Sequence, residues 1–251
     1  MGYIFSDNRM YNKGAGTVSH KFALELERKL LEKSNKIIVT SDKMKKRLRT
    51  IHNIKSKINI STIPNYVDTE LFKPSKDNFK KAFDLIFIGR IEKEKNIEQL
   101  LEAADRLKVK LLIIGKGSLK NELMEKYNSP LINWISKVEN RKIPDFINQA
   151  QVFILPSLHE GHPKSLIEAM SCGCPVIGAK SPGIKDIIND GVNGVLCGTS
   201  SNSIMENITY VLSNLDLRAK IGAHARKDVK KLYSLDRIIK LELDIYNNLI
   251  N

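Results

Sequence analysis

Two glutamates, Glu160 and Glu168, flank the predicted start of a helix. If Pro163 is the first helical residue, the amides of Lys164 and Ser165 are free donors at the positive end of the helix dipole, where anions bind. Because Cα–Cβ bonds tilt toward a helix N-terminus, Glu168 in the second turn can address the same space as Glu160 in the preceding loop. Amides suit phosphate and carboxylates suit hydroxyls. The pattern therefore favours a ligand with both groups, such as a sugar nucleotide, although two solvated glutamates would have the same spacing.

Two cations follow an earlier apolar run of the chain. Gly89 and Arg90 come directly after Leu85–Ile88, and Lys95 follows where a helical pattern opens. Arg90 offers a planar fork for phosphate oxygens, and Lys95 offers a flexible point charge. Either residue alone is equally a solvated surface charge. Their position at the end of a predicted strand is what suggests a phosphate site.

The elements that must position these residues alternate along the chain from residue 84 onward. Short continuous apolar runs are separated by amphipathic helical patterns, and such runs are typical of strands buried on both faces of a parallel sheet. The runs are Leu85–Ile88, Leu111–Ile114, Leu131–Ile135, Val152–Leu155, Pro175–Ile177 and Val195–Cys197. The alternation predicts an α/β domain with a Rossmann-like, doubly wound parallel sheet. In such sheets ligands bind beyond the carboxyl ends of the strands.

A glycine-rich turn follows the second run. Gly115 to Ser118 form half of a dinucleotide-binding pattern, but Lys120 stands where its last glycine would be. We therefore predict a tight turn with Ser118 capping the next helix, and not an NAD site. After the third run, the backbone of Ser136 to Val138 is a candidate contact for a base.

The first 75 residues have a different pattern. A helix near Phe22–Leu31, a strand at Lys36–Thr40, a basic helix at Asp42–Ile51 and a strand at Ile58–Ile63 are predicted, followed by a polar linker at Ser75–Lys80. Two strands make too small a sheet to stand alone. The predicted organisation is a partial N-terminal α/β segment with linker at 1–75, a nucleotide-sugar-binding domain at 76–232, and a C-terminal helix at 233–251 that packs back toward the N-terminal part.

The net charge of +13 is unevenly distributed. Residues 1–60 contain fourteen Lys and Arg against five Asp and Glu, a difference of +9. Such a bias favours phosphates or an anionic membrane surface, although a compositional habit explains it equally well. No helix-turn-helix spacing, zinc knuckle or aromatic RNA-binding pattern is present, so nucleic acid is not an expected partner.

Cysteines and apolar runs limit the remaining classes. The three cysteines, Cys172, Cys174 and Cys197, are too few and too poorly spaced for a disulfide framework or a four-ligand metal site. No apolar run reaches the roughly 18 residues of a membrane span, and the first residues lack a signal-peptide pattern. We expect a cytoplasmic protein, with a peripheral contact at the inner face of the membrane as the favoured use of its basic N-terminal part.

Five segments in this order resemble a known family. They read TIPNYVDTELFKP, FIGRIEKEKNIEQLLEA, LLIIGKGSLKNEL, VFILPSLHEGHPKSLIEAMSCGCPVIG and GVNGVLC. Over roughly residues 36–250 the chain resembles the retaining glycosyltransferases of family 4, which have the GT-B fold. The resemblance implies transfer of a hexose from a nucleoside-diphosphate sugar to a saccharide or lipid-linked acceptor, in polysaccharide or lipopolysaccharide biosynthesis. It implies no cofactor and no metal.

The resemblance also assigns site residues. Arg90 and Lys95 match the cations that hold the donor diphosphate, Glu168 matches the ligand of the ribose hydroxyls, and Glu160 matches the residue that faces the transferred sugar. The implied catalytic residues are Glu160, Arg90 and Lys95, with no metal ligand. The implied donor-binding residues are Gly89, Arg90, Lys95, Val138, Glu160, Gly161, His162, Pro163, Lys164, Ser165 and Glu168.

The chain departs from the family in its N-terminal part. Only the last part of an acceptor domain is recognisable, and Gly14-Ala15-Gly16 does not follow a strand, so it is not matched to the family's glycine-rich loop. Three interpretations remain: a donor-binding fragment without transfer activity, half of a transferase completed by a second polypeptide, or an enzyme with a compact acceptor site of its own.

Overall fold

A computed structural model of the chain describes residues 18–52, 59–75 and 81–250, with side chains from residue 22 to residue 249. The chain divides into two compact units, Met1–Pro64 with Lys240–Asn251, and Asn65–Ile239. The domain boundaries predicted at 75/76 and 232/233 stay predictions. Gly14-Ala15-Gly16, Ile58 and linker residues 76–80 lie outside the described residues.

The smaller unit contains a two-stranded parallel sheet. Its elements are α1 (Val18–Lys33), β1 (Ile37–Val39), α2 (Asp42–Ile51) and β2 (Ile60–Thr62). The helix predicted at Asp42–Ile51 has those bounds, because the Ser41 hydroxyl accepts a hydrogen bond from the Met44 amide at 3.2 Å and caps its start. Ile37, Val39, Leu48 and Ile60 form the small core of this unit.

The larger unit contains a six-stranded parallel sheet. Its strands are β3 (Phe83–Ile88), β4 (Leu111–Ile114), β5 (Ile132–Ile135), β6 (Ala150–Leu155), β7 (Val176–Ala179) and β8 (Val195–Cys197). Their spatial order is β5-β4-β3-β6-β7-β8, the arrangement of a doubly wound sheet. The direction of winding reverses between β3 and β6, which makes this pair the topological switch point. The predicted fold class is confirmed.

Helices cover the sheet and account for the apolar strands. They are α3 (Ile97–Leu107), α4 (Lys120–Lys126), α5 (Ile143–Asn148), α6 (Lys164–Ser171), α7 (Ser201–Leu212), α8 (Leu215–Leu232) and α9 (Leu235–Ile250), the last of which belongs to the smaller unit from Lys240 onward. All four residues of β4 and all four of β7 are buried. Burial on both faces is why these strands read as continuous apolar runs instead of alternating ones.

Two predicted helix starts are wrong in detail. Ser118 does not cap α4, whose N-cap is Leu119, because the Ser118 hydroxyl binds the Glu92 carboxylate at 2.7 Å instead. Pro163 is not the first helical residue but the N-cap of α6. Its backbone is extended (ψ 112°) and its carbonyl accepts from the Ile167 amide. The helix therefore begins one residue later, and the amides of its first turn still include that of Lys164.

Candidate functional site

Two loops meet beyond the carboxyl ends of the two central strands. One continues β3 through Gly89 to the 3₁₀ turn Lys93–Lys95, and the other continues β6 through Pro156 to Glu160. Because β3 and β6 flank the switch point, both loops border the crevice in which open α/β sheets bind ligands. The sequence predicted residues at strand ends, and the strand order now specifies which ends are neighbours.

Lys95 and Glu160 form an ion pair across this crevice. The Lys95 Nζ lies 2.5 Å from the Glu160 Oε1, and the two side chains are only 14% and 11% exposed. Charges removed from water to this extent are stable when paired, and removing either partner leaves the other uncompensated. A ligand that enters the site would therefore have to bind to this pair of charges or separate it.

Backbone contacts fix the position of Glu160. The Leu158 amide donates to the Glu94 carbonyl at 2.9 Å, which ties the two loops together, and the Glu160 amide donates to the Pro182 carbonyl at 3.0 Å. Gly183 has φ +83° and packs so closely that a Cβ there would lie 2.3 Å from the Glu160 carbonyl oxygen. Gly183 was missed by the sequence analysis, although the Pro182-Gly183 dipeptide is a turn signal.

The start of α6 combines free amides with a second carboxylate. Glu168 lies half-buried in the second turn, and burial raises its pKa above 4.5 while the nearby Lys164 ammonium opposes the rise. The Lys164 Nζ lies 4.6 Å from the centre of the Tyr66 ring, a cation–π contact. Glu168 and the first-turn amides belong to the same helix, and their joint use in a ligand site stays a prediction; Tyr66 is an addition that the sequence did not indicate.

His162 is held inside the same loop by its neighbours. The Asn65 Nδ2 donates to the His162 carbonyl at 2.6 Å, and the imidazole meets the Tyr233 ring edge-on at 5.0 Å. In the described part of the chain neither ring nitrogen has a hydrogen-bond partner. Burial lowers the pKa of His162 to about 4, against a smaller opposing effect of Asp186. The imidazole is therefore neutral at physiological pH.

Other predicted donor-site residues make no contact with the ion pair that the structure records among the described residues. Arg90 is 55% exposed and pairs with Glu94 at 2.9 Å, and Gly161 is exposed, with nothing within 4 Å of the position a Cβ would take. Val138 packs against the main core, and the Ser136 hydroxyl accepts from the Lys120 ammonium at 2.5 Å. The structure thus joins Lys95 to Glu160, whereas Arg90, in the loop before the 3₁₀ turn, pairs with Glu94 of that turn.

The glycine-rich turn after β4 has a packing role. A Cβ on Gly115 would lie 1.8 Å from the Gly89 carbonyl oxygen, and one on Gly117 would lie 2.0 Å from the Ile91 carbonyl oxygen. The Glu92 carboxylate accepts from the Ser118 amide at 3.0 Å. Both glycines are required because the loops after β3 and β4 are in contact at these positions. The predicted tight turn is therefore confirmed, and only the predicted cap at Ser118 is wrong.

The described residues contain no group of three or more His, Cys, Asp or Glu side chains that could hold a metal ion. They also contain no helix that is long and apolar enough to cross a membrane. Burial raises the pKa of Cys174 and Cys197 to about 12 and also raises that of Cys172, so these thiols stay protonated and unreactive.

The geometry defines what the site can bind. A cation and the amides at the start of α6 suit phosphate oxygens, and the two carboxylates suit hydroxyl groups. The Lys95–Glu160 pair joins the loops that follow the two strands flanking the switch point.

Two known glycosyltransferases are similar to the chain in sequence. An uncharacterized glycosyltransferase of Methanocaldococcus jannaschii is 28% identical over 233 residues, which are 85% of this chain and 60% of that protein. The UDP-Gal:alpha-D-GlcNAc-diphosphoundecaprenol alpha-1,3-galactosyltransferase of Escherichia coli is 31% identical over 162 residues, covering 55% of this chain and 41% of that enzyme. The chain thus spans about 40–60% of the length of these relatives.

A solved structure and a family model agree with these matches. Sucrose-phosphate synthase from Thermosynechococcus elongatus has a TM-score of 0.82 to this chain, covers 92% of it and is itself covered to 62%; at 23% identity it shows the fold alone. The family model described as glycosyl transferases group 1 matches residues 68–228, which is more than half of the chain and includes both site loops. The chain therefore belongs to the glycosyl transferases of group 1.

Proposed function

We propose that this chain binds a nucleoside-diphosphate sugar at the carboxyl edge of its six-stranded sheet and takes part in transfer of the hexose to a saccharide or lipid-linked acceptor. The observation that carries the proposal is the Lys95–Glu160 pair at the switch point, 2.5 Å apart and largely buried beside α6. The name of the Escherichia coli relative, with a UDP-sugar and a diphosphate-linked lipid, supports this class of donor and acceptor.

The proposed chemistry is metal-independent and retains the configuration of the sugar. The bond between the anomeric carbon and the diphosphate oxygen breaks, and its electron pair leaves with the diphosphate. Lys95, Arg90 and the amides of α6 stabilise the developing negative charge, and Glu160 faces the positive charge that develops on the sugar. The acceptor hydroxyl attacks from the face that the diphosphate leaves, and its proton passes to the departing diphosphate oxygen.

Lys95 offers the clearest test of the donor site. We expect Lys95→Met to reduce, without abolishing, the increase in melting temperature that UDP, GDP or ADP gives the wild type, and to lower transfer by about 10²–10³-fold. Lys93→Met is the matched control, because Lys93 is an exposed lysine of the same 3₁₀ turn. A wild type whose melting temperature responds to none of the three nucleotides, or an unaffected Lys95→Met variant, would contradict the proposal.

Glu168 offers a test through pH. The carboxylate form is the one that accepts ribose hydroxyls, and its pKa is raised by burial. Nucleotide affinity of the wild type should therefore decline on acidification already above pH 4.5, the ordinary value for Glu. Glu168→Gln should bind more weakly at neutral pH and lose this part of the pH dependence; the difference between the two proteins cancels the titration of the nucleotide. Identical pH profiles would remove Glu168 from the ribose site.

A second candidate is a nucleotide-sugar-binding chain without transfer activity of its own. The chain matches 60% and 41% of the length of the Methanocaldococcus jannaschii and Escherichia coli relatives, and the part that matches the family model contains the donor-site loops. This candidate predicts nucleotide binding with no transfer to any acceptor until a second polypeptide with acceptor groups is added. Transfer by the purified chain alone would contradict it.

We also propose the cytoplasm, at the inner face of an anionic membrane, as the site of action. The support is α2, which contains five Lys and Arg residues against one acid in DKMKKRLRTI. Co-sedimentation with vesicles of anionic lipid, compared with neutral vesicles, tests this contact. Equal recovery with both vesicle types would remove it.

A further inference from the structure

Asn96 stands directly after Lys95 in an unusual backbone conformation. Its φ of 57° and ψ of 34° are left-handed, and it separates the 3₁₀ turn Lys93–Lys95 from α3. Asn adopts this conformation more readily than most residues with a side chain. This backbone reversal lies directly between Lys95 and α3.

The side-chain amide of Asn96 connects three strand ends. Its Nδ2 donates to the Pro156 carbonyl at 3.2 Å, just beyond β6, and to the Thr199 carbonyl at 2.8 Å, beyond β8. Both neighbours are acceptors, so only the amide nitrogen can satisfy them and the orientation of the amide follows from the chemistry. Asn96 itself follows β3, so one side chain joins loops from β3, β6 and β8.

We propose that Asn96 is a positioning residue that holds Lys95 where the donor diphosphate binds; this inference rests on the proposed function. Lys95 has a long, flexible side chain, and its backbone is fixed on both sides. The Glu94 carbonyl accepts from the Leu158 amide at 2.9 Å, and Asn96 binds Pro156 from the other side. A shift of about 1 Å in such a group is sufficient to lower catalysis strongly, so the second attachment has a functional consequence.

The test compares two left-handed residues at opposite ends of α3. Asn96→Gly keeps the left-handed backbone and removes both hydrogen bonds. Lys108→Gly is the matched control, because Lys108 (φ 54°) is the other non-glycine residue with positive φ among the described residues, and its side chain is 69% exposed. We expect Asn96→Gly to weaken binding of UDP, GDP or ADP, whichever the wild type binds, by about tenfold, because Lys95 is no longer held where the diphosphate binds. Lys108→Gly should bind like the wild type.

Two further measurements separate positioning from general stability. Affinity for the corresponding nucleoside, measured by competition, should be unchanged in Asn96→Gly, because the nucleoside has no phosphate for Lys95 to engage. In a Lys95→Met background, Asn96→Gly should have no further effect on diphosphate affinity. If Asn96→Gly does not fold, Asn96→Ser gives the same comparison, because its uncharged side chain has no amide to donate to both the Pro156 and Thr199 carbonyls.

The outcomes distinguish this inference from the proposed function. A wild type that binds no nucleoside diphosphate overturns both. If the wild type binds, the inference alone is overturned by unchanged diphosphate affinity in Asn96→Gly, by an equal loss for nucleoside and diphosphate, or by a full tenfold loss that persists in the Lys95→Met background.

Discussion

The loops after β4 and β6 look alike in sequence and differ in the reason for their glycines. Each follows a buried strand and combines glycine with lysine. After β4, Gly115 lies where a Cβ would be 1.8 Å from a backbone oxygen, whereas Gly161 after β6 has nothing within 4 Å of its Cβ position. The first loop is a packing joint. The second, the open loop, has free space at Gly161 and contributes Glu160 to the candidate site.

The largest expected effect is on the packing joint. Gly115→Ala puts a methyl group against the Gly89 carbonyl, which cannot move without displacing the end of β3, so we expect a loss of about 3 kcal/mol or more in the free energy of unfolding. Gly161→Ala should change it by less than about 0.5 kcal/mol. Chemical denaturation measures both. Similar values for the two variants would erase the distinction between the loops.

The next effect concerns the buried imidazole of the open loop. His162 has a folded pKa of about 4 against 6.5 unfolded, so its contribution is fully present above pH 6.5 and is lost as pH falls toward 4. The loss amounts to about 3 kcal/mol. His162→Phe keeps an aromatic edge for Tyr233 and has no nitrogen to protonate.

The measurement is denaturation at several pH values, comparing wild type with His162→Phe so that the other histidines cancel. We expect the variant to lack this acid-dependent loss and to be more stable at neutral pH by about 1–2 kcal/mol, because two unpartnered buried nitrogens are removed. Parallel pH profiles would mean that His162 is accessible to water, and the loop would then be less closely packed than its contacts with Asn65 and Tyr233 indicate.

The sequence was sufficient to predict the strands, but not which strands lie next to each other in the sheet. Continuous apolar runs predicted β4 and β8 to the residue, because strands buried on both faces need apolar residues throughout. The same pattern does not encode strand order, so it could not show that the loops after β3 and β6 face one crevice. Ser118 failed as a cap because Glu92, distant in the sequence, offered its hydroxyl a stronger charged acceptor.

The candidate site, too, was predictable from the sequence only in part. Glu160, Lys95 and the start of α6 were found from residue type and spacing, but the ion pair, the support from Gly183 and the amide bridge of Asn96 depend on contacts between loops distant in sequence. A local signal existed for Gly183 in the Pro-Gly turn. For Asn96 the sequence offered only the tolerance of Asn for left-handed backbone.

A smaller effect should distinguish Glu160 from a simple donor ligand. Because Lys95 is already paired with Glu160, a diphosphate must compete for it. Glu160→Gln frees the ammonium and removes a like charge, so we expect nucleoside diphosphates to bind about tenfold more tightly while transfer is lost. Titration calorimetry of wild type, Glu160→Gln, Lys95→Met and the double variant measures the coupling. Weaker binding in Glu160→Gln would show that the carboxylate assists the diphosphate instead of competing with it.

The smallest expected effect lies at the edge of the open loop, where Tyr66 contacts Lys164. A cation over an exposed ring contributes about 0.5–1 kcal/mol, so Tyr66→Leu should lower the free energy of unfolding by no more than that, and Tyr66→Phe, which keeps the ring, should lower it less. The effect on the site concerns Glu168. Burial raises the pKa of this carboxyl, and the Lys164 ammonium partly opposes that rise. In Tyr66→Leu the ring no longer holds Lys164, so the pH at which nucleotide affinity declines on acidification should change. In Tyr66→Phe that pH should stay the same. An equal shift in both variants would assign the effect to the Tyr66 hydroxyl, and the ring would then have no part in orienting Lys164.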